Sequence, residues 1–598
     1  MDKKNTILGT LLFVAAFGVL MYSQKFTPQH AAPSEIRKEV AKQTAGGPQA
    51  TVPTADSTVA ATGADQPTFT TVQSEKTGAS VTTLSNSFVE VNFTDAGGAI
   101  RDVAFKKYPA TLHGLDPFVF NQLHSSAMMA FVGLPGLDHA TRYQLVSSTA
   151  TDVVYRAVYE GRLEVTRHYV VSPDKGPGTD PYLIRSETTI RNLSDKASAP
   201  MRVAFSLGTA APNNALDNGL QLTTEYSNGK DQVMTRRAEL EASGGFLGFK
   251  AHDARPFIAS AGPIEWATVK NQFFAAILTP DQPASGLETR RVKLLEELPD
   301  TDRKAYGITA AMDFDVESVP AHGQTTVAGN LYVGPKEYPR LSNDDVFKKD
   351  EDRMMDFGNA VFRFCAAILL TLMTWIHGWV HNWGVAIILT TLALKIVFTP
   401  ITLAQSRSSR RMQKLMPEMN LIKEKFKDNP QKQQVATMEL YKKHKVNPLS
   451  GCLPMLLTIP FFFGFFRMLQ SASELRFASF LWAHDLSAPD TVATIAVPFL
   501  GLLAINVLPL ALGFVNFFQM RVTPQPSVDN AQMKIMKFMP VMFVLFYYNW
   551  AAAIALYSTV NGAYTIGQQL IVNRMRDTAD TVPVKSGKPT KNVTPRKG

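Results

Sequence analysis

Residues 383–403 read Trp-Gly-Val-Ala-Ile-Ile-Leu-Thr-Thr-Leu-Ala-Leu-Lys-Ile-Val-Phe-Thr-Pro-Ile-Thr-Leu. About 20 apolar residues cross the hydrocarbon core of a bilayer, so this stretch is long enough to span one. Lys395 sits inside it, roughly 15 Å from the polar boundary near Gln405 at ~1.5 Å per helical residue. A charge at that depth is costly, on the order of 3 kcal/mol on insertion scales, and usually faces protein or water. Thr391, Lys395, Thr399 and Thr402 recur at spacings of four, four and three, which puts them on one helical face. Two readings are open: a lysine that snorkels to the interface, or a water-filled or protein-lined recess inside a membrane domain.

Outward from this span, the apolar segments multiply. Cys452–Leu469 is interrupted by Pro454 and Pro460 and carries Phe461, Phe462, Phe463, Phe465 and Phe466. Thr491–Phe518, Phe538–Tyr548 (short for a span even when extended to Ile535–Trp550) and Ala551–Val572 follow, and Lys3 and Lys4 precede the run Ile7–Tyr22, which reads as an uncleaved signal anchor over 1–25. In the last helix Ser558, Asn561, Thr565, Gln568 and Gln569 form a second hydrophilic stripe, able to face the one around Lys395; the plainer account is polar glue between helices. Phe357–Val380 holds Arg363, Trp375, His377 and Trp379, the pattern of a helix lying at the membrane interface.

Charge orients the chain. Residues 405–447 carry eleven lysines and arginines against four acids. Met412, Leu415, Met416, Met419, Ile422 and Phe426 stripe one helix there, and Val435, Met438 and Tyr441 a second, around a turn at Asp428-Asn429-Pro430. This is a basic helical hairpin whose methionines either pack it together or offer an adaptable contact. The loop 521–537 and the tail 573–598 are also basic, whereas 471–490 is acidic. Basic loops lie inside, so both chain ends and the hairpin are expected in the cytoplasm, with six spans.

Between the anchor and the helices the pattern changes twice. Residues 26–77 are rich in Ala, Thr, Pro, Gln and Ser, a disordered linker. From 78 to 342 short strands alternate apolar and polar residues (Leu163–Val171, Tyr182–Ile190, Arg202–Leu207, Ile308–Val316, Thr325–Val333) with a turn at Asp95-Ala96-Gly97-Gly98, which indicates a β-sandwich-like exterior domain. Residues 343–382 form a charged connector and the interfacial helix, and 383–572 the membrane core. The net charge of +9 suits anionic lipid or RNA partners, or positive-inside topology. Two cysteines exclude a disulfide framework. HExxH, GxSxG, Walker A and GxGxxG motifs are absent, so nothing argues for an enzyme.

The motifs Asn382-Trp383-Gly384, Pro400 and Gln405, Leu440-Tyr441-Lys442 and Val446-Asn447-Pro448-Leu449-Ser450-Gly451-Cys452-Leu453-Pro454 occur in order. Leu481-Trp482-Ala483-His484-Asp485-Leu486, Lys537-Phe538-Met539-Pro540 and Gln568-Gln569-Leu570 follow. With them, residues 375–572 resemble the YidC/Oxa/Alb family of membrane protein insertases in its Gram-negative form. The resemblance implies a polytopic α-helical inner-membrane protein with six spans, a five-helix insertase core and a periplasmic β-supersandwich. It implies a positively charged groove open to cytoplasm and lipid and closed toward the periplasm. The family's groove charge is usually arginine and maps onto Lys395, which keeps the charge but lacks the bidentate fork. A Pro-Ser-Gly-type turn before the family's last helix is Asn549-Trp550-Ala551-Ala552 here.

On this reading Lys395, Thr391, Thr399, Thr402, Ser558, Asn561, Thr565 and Gln568 line the substrate groove. Phe461, Phe462, Phe465 and Phe466 form an apolar slide, and Arg407, Arg410, Arg411, Lys414, Lys442 and Lys443 meet cytoplasmic partners. Nascent membrane proteins are the expected substrates. The Sec translocon, ribosome, signal recognition particle and phospholipid are the expected partners. No DNA, cofactor, metal or catalytic residue is implied. Two other classes fit parts of the pattern: a small-solute secondary transporter, with a midplane charge and proline-broken helices, and a receptor with an exterior sensor domain, for which no output domain is recognisable.

Overall fold

Along Leu163–Val171 every second side chain, at Val165, Arg167, Tyr169 and Val171, is buried while its neighbours are half-exposed, as a period of two dictates for a strand with one face on a core. The computed structural model describes residues 78–574 apart from 124–125, 135, 214–216, 218, 243–251, 297, 301, 428, 445–452, 498–500, 523–541 and 543. The expected signal anchor, the linker and the tail beyond Arg574 lie outside the described residues, as does most of the apolar stretch 535–550. Of the described residues, 78–386, 460–490 and 551–554 form one compact unit, and 387–459, 491–550 and 555–574 the other.

The first unit is built on antiparallel sheets. Nine strands pair in the spatial order Gln232–Arg236, Thr223–Ser227, Trp266–Lys270, Phe274–Pro280, Gln324–Pro335, Leu183–Asn192, Leu163–Val171, Asp152–Tyr159 and Gln144–Ser148. A five-stranded sheet runs Ile258–Ile264, Ala284–Lys293, Tyr306–Val316, Met201–Ala210 and Phe131–Val132. The two face each other through side chains such as Thr224 and Thr289, whose hydroxyls bond at 2.8 Å in the interior. Four strands from Val81 to Phe120 make a third sheet, which packs Phe105 on Phe274 at 5.0 Å. At the turn after Thr94, Gly98 has φ +54, and a Cβ there would run into the Tyr143 ring.

The interior holds charges as well as apolar side chains. Lys270 pairs with the buried Glu225. Arg167, 0% exposed, has no carboxylate partner among the described residues. Its guanidinium lies 4.2 Å from the Phe131 centroid, 5.5 Å from that of Phe205 and 5.6 Å from that of Tyr143. Such placement over aromatic faces is favourable for a desolvated cation. The same group donates to the Met129 carbonyl and the Tyr169 hydroxyl.

The connector folds back on this domain. Phe347, Met354 and Met355 are buried, and the Trp266 indole donates to the Lys349 carbonyl at 2.8 Å. Helix α1, Ala360–Val380, is capped by Asn359, whose side chain accepts from the Phe362 amide at 3.1 Å. It buries Cys365, Ala366, Leu369, Leu370, Met373 and Ile376 and exposes Val361, Phe364, Ile368, Trp375 and Trp379. An apolar exposed stripe of this kind suits contact with lipid. By length and composition the helix could also cross a bilayer.

Helix α2, Trp383–Lys414, contains the opening stretch. The Asn382 side chain accepts from the Val385 amide at 3.0 Å, capping α2, and donates to the Ser479 carbonyl at 3.3 Å. Gly384 follows because a Cβ there would collide with the Phe480 ring. The Asn-Trp-Gly motif thus marks where the loop after residue 471 presses on the start of α2.

In the second unit α2 leads to a hairpin of α3, Met416–Lys425, and α4, Pro430–Lys443. Leu415, Met419 and Leu440 are its buried seam, with Ile422 and Tyr441 packed against them. The expected second stripe is only partly right. Tyr441 turns inward, but Val435 and Met438 are exposed because they fall on the opposite side of α4 from Leu440.

Helix α5, Leu453–Ser471, contains Pro460. The expected span Thr491–Phe518 is not a single helix. Thr491–Val497 and Gly501–Asn506 pair as an antiparallel hairpin, and α6, Val507–Val522, follows with 16 residues, ~24 Å and short of a ~30 Å core. Thr491, Val492, Thr494, Ile495 and Val497 are β-branched, and Pro498 and Gly501 interrupt the apolar run, so strand chemistry prevails locally. Asn506 ties the hairpin down, accepting from Thr491 at 2.7 Å and donating to the Tyr548 carbonyl at 2.5 Å. The last helix, α7, is Ala552–Arg574. Its first amides, at Ala552 and Ala553, donate to the carbonyls of Ala488 and Leu486, which satisfies donors every helix start leaves open. Among the described residues only α1 and the Trp383–Ala404 part of α2 meet the length and hydropathy expected of a span, so the count of six is not reproduced.

Candidate functional site

The hydrophilic stripes of α2 and α7 meet. The Lys395 ammonium donates to the Thr565 hydroxyl at 3.1 Å, Thr399 and Tyr564 share a hydroxyl bond of 2.8 Å, and the Gln568 amide donates to Thr402 at 2.5 Å. Lys395 and Thr399 thus meet Thr565 and Tyr564, and Thr402, further along α2, meets Gln568 further along α7. The two helices run in the same direction here. Helical threonines also return their hydroxyls to the preceding turn. Thr399 donates to the Lys395 carbonyl at 2.7 Å, and Thr565 to the Asn561 carbonyl at 2.8 Å.

The polar-glue account covers the Thr399–Tyr564 and Gln568–Thr402 bonds. It does not cover Lys395, since an ammonium is far costlier to hold in an apolar setting than a hydroxyl. Lys395 is half-buried, and among the described residues no carboxylate lies within ion-pair distance of it. The Lys395 ammonium can therefore meet a carboxylate or carbonyl brought from outside, with the Gln568 side-chain amide on the same seam.

Several expected groove residues are placed differently. Thr391 is buried (1% exposed), and its hydroxyl is spent on the Ile387 carbonyl at 2.7 Å, so it lines nothing open. Ser558 is buried as well, one helical turn above Asn561, which is half-buried. Tyr564 is an addition to the expected set. It lies outside the stripe drawn on α7, and a long phenol reaches a neighbour that a serine there could not.

On the expected slide, Phe461, Phe462 and Phe466 are half-buried, but Phe465 is 1% exposed. Its neighbour Gly464 packs against the α1 backbone, 3.0 Å from the Ala366 nitrogen and Phe362 carbonyl for an added Cβ, so this turn of α5 is pressed against α1. Phe465 is a packing residue. Among the cytoplasmic cations, Lys414, Lys442 and Lys443 are exposed, while the side chains of Arg407, Arg410 and Arg411 lie outside the described residues.

Near the end of α5, residues 467–477 are bound into the β-domain. Arg467 pairs with Asp356 at 2.9 Å, and Gln272 donates to the Gln470 carbonyl at 2.9 Å. Arg476 donates to the carbonyls of Pro109 and Ala110 and lies 4.2 Å from the Phe477 ring and 5.3 Å from Phe118. Glu474 beside it is half-buried, and desolvation, with Glu337 nearby, pushes its carboxyl up to about 8. Local charge counting flags this loop as acidic but does not show that its one arginine anchors it.

A helix of span length with a lysine inside it, on the same chain as a large β-sheet domain, points to the class of membrane proteins with a β-sheet domain. The family model described as 60Kd inner membrane protein matches residues 375–579, and that of the YidC periplasmic domain matches 81–372. The membrane protein insertase YidC of Syntrophobacter fumaroxidans is 33% identical over 423 residues, 69% of each chain. That of Chlorobaculum tepidum is 28% identical over 594 residues, 96% of this chain and 95% of the relative. A crystal structure of an active YidC insertase with its first transmembrane domain resolved covers 81% of this chain and 91% of its own at 17% identity, with a TM-score of 0.31; the assignment rests on the sequence matches. The chain belongs to the YidC family of membrane protein insertases.

Proposed function

We propose that this protein inserts membrane proteins through the polar seam between α2 and α7, without hydrolysing nucleotide. A client's polar tail entering beside Lys395 exchanges part of its hydration for Lys395, Thr399, Thr402, Thr565, Asn561 and Gln568, which lowers the desolvation barrier to crossing. Its hydrophobic segment then moves along Phe461, Phe462 and Phe466 into lipid, driven by burial of apolar surface. The lysine favours tails carrying an acidic residue, as a single point charge rather than a bidentate clamp.

The observation that carries this reading is the Lys395 ammonium, held by one hydroxyl and matched by no described carboxylate. Its setting is an inner-membrane protein of six spans with both ends cytoplasmic and the β-domain periplasmic. Lys414, Lys442 and Lys443 on the basic hairpin then receive ribosomes, signal recognition particle or anionic lipid, and the Sec translocon works alongside. Reconstituted proteoliposomes test the core of it. Lys395→Ala is expected to slow insertion of an acidic-tailed client at least about tenfold, in line with loss of a charged hydrogen bond, and Lys395→Glu to slow it further. Wild-type rates for every client in both variants would remove the groove charge from the mechanism.

A further inference from the structure

Where the β-domain meets the end of α5 lies a cavity of about 90 Å³, lined by side chains from six separate segments. Arg236, Lys270, Lys336 and Arg467 bring four cations to its wall, and Asp356 one carboxylate. Part of this charge is matched internally. Lys270 pairs with Glu225, and Arg467 with Asp356 at 2.9 Å. Arg236 leans toward Glu239 at 3.8 Å on the exposed rim.

Lys336 is different. It is 3% exposed, and its ammonium reaches only backbone carbonyls, those of Gln272 at 3.0 Å and Asn271 at 3.5 Å. No carboxylate pairs with it among the described residues. A second, independent feature points the same way. Thr223, 5% exposed, is one of the lining residues, and its buried hydroxyl has no hydrogen-bond partner. Native interiors leave few such groups unmatched, so an unpaired ammonium and an unmatched hydroxyl on one small cavity call for an acceptor.

We propose that this cavity is a binding site for a phosphate-class oxyanion, held by the Lys336 and Lys270 ammonium groups and the Arg467 guanidinium, with the Thr223 hydroxyl as a further donor. Cations from the strand Trp266–Lys270, from the residue after Gln324–Pro335 and from α5 share one small space, which suits an oxyanion able to accept from several charged donors. The volume is several times that of a single water site. Two sources present this chemistry: free phosphate and the headgroup of an anionic phospholipid. The second is open to it because Arg467 lies near the end of α5, where an apolar helix leaves lipid for water.

The site is pH-dependent with a definite sign. Lys336 is held down to about 7, first by burial and then by the neighbouring Lys270, against the attraction of Glu225 and Asp356. It is charged below that pH and neutral above, so a phosphodiester headgroup, whose own charge is constant, binds more tightly at pH 6 than at pH 8, while inorganic phosphate gains its second charge over the same range and shows a flatter profile.

The full chain in nanodiscs of phosphatidylcholine alone, titrated calorimetrically with inorganic phosphate at constant ionic strength in chloride, tests the first source. Nanodiscs with added phosphatidylglycerol, free of phosphate and read by thermal midpoint, test the second. Binding in either arm is expected to weaken at least about tenfold in Lys336→Met and about fivefold in the isosteric Thr223→Val. Phosphate binding in phosphatidylcholine discs assigns the site to the free anion. A stabilisation confined to phosphatidylglycerol discs assigns it to the headgroup. If Lys336→Met is unfolded in chloride, Thr223→Val decides alone. No response in either arm, or an equal response in wild type and Thr223→Val, overturns the proposal.

Discussion

Arg167 in the β-domain and Lys395 in α2 are both cations without a described carboxylate partner, and the chain handles them in opposite ways. Arg167 is sealed. Three aromatic rings, a carbonyl and a phenol enclose it, and no external group can reach it. Lys395 is half-buried and held by one hydroxyl, on a seam of hydroxyl and amide side chains. A cation enclosed in its own packing is a fixed part of the fold. On the proposed function, a cation left half-open is available for something that arrives. Accessibility, more than the charge itself, separates a structural ion from a functional one.

That contrast breaks most readily at Arg167. Arg167→Ala removes the centre of the Phe131–Tyr143–Phe205 cage and is expected to destabilise the β-domain by about 4 kcal/mol, as large-to-small core changes do. Insertion per folded molecule should stay at the wild-type level. Urea unfolding of the full chain, with insertion normalised to folded protein, reads both, and a selective loss of acidic-tailed clients would erase the distinction. Gly384→Ala drives a methyl into the Phe480 ring. Overpacking of this kind is expected to cost about 2 kcal/mol in the same urea assay, relieved by Phe480→Ala in the double variant.

The loop after α5 also predicts a pH slope. Glu474, pushed up to about 8 by desolvation, keeps a proton in the folded state that the unfolded chain loses above its ordinary value near 4.5. Folded-state stability therefore falls as pH rises from 4.5 toward 8, by about 1 kcal/mol per unit. Lys336, held down to about 7, adds the opposite slope only above that pH. Urea midpoints at pH 5, 6 and 7 should decline in wild type and lie level in Glu474→Gln; parallel declines would show that Glu474 is not the group. The smallest effect is expected at the open site. Thr565→Val removes the one hydroxyl holding Lys395 and should slow acidic clients about fivefold, with Thr565→Ser near wild type.

The exterior domain was legible because alternation survives in strands with one buried face. Leu163–Val171 appears with the expected bounds, and the expected strand Thr325–Val333 lies within the observed Gln324–Pro335. The facing of α2 on α7 was legible from spacing, since Lys395, Thr399, Thr565 and Gln568 lie on the stripes that meet. What hydropathy could not settle was Thr491–Asn506, where apolar content is equally good for a buried helix and for a strand, and β-branching decides locally. Nor does spacing report burial. Thr391 lies on the right face but under other side chains, and Phe465 belongs to an aromatic run whose rings point several ways. Tyr564, Arg476 and the Lys336–Thr223 cavity depend on residues far apart in the chain, and no local pattern marks them.

The claim that Lys395 is the open cation is tested most directly by charge exchange. Insertion of one client is measured in proteoliposomes with its tail carrying either Asp or Lys at the same position, against wild type and Lys395→Glu. The account predicts that wild type prefers the Asp tail, that Lys395→Glu prefers the Lys tail, and that the mismatched pairs are slow. An unchanged preference in Lys395→Glu would contradict it.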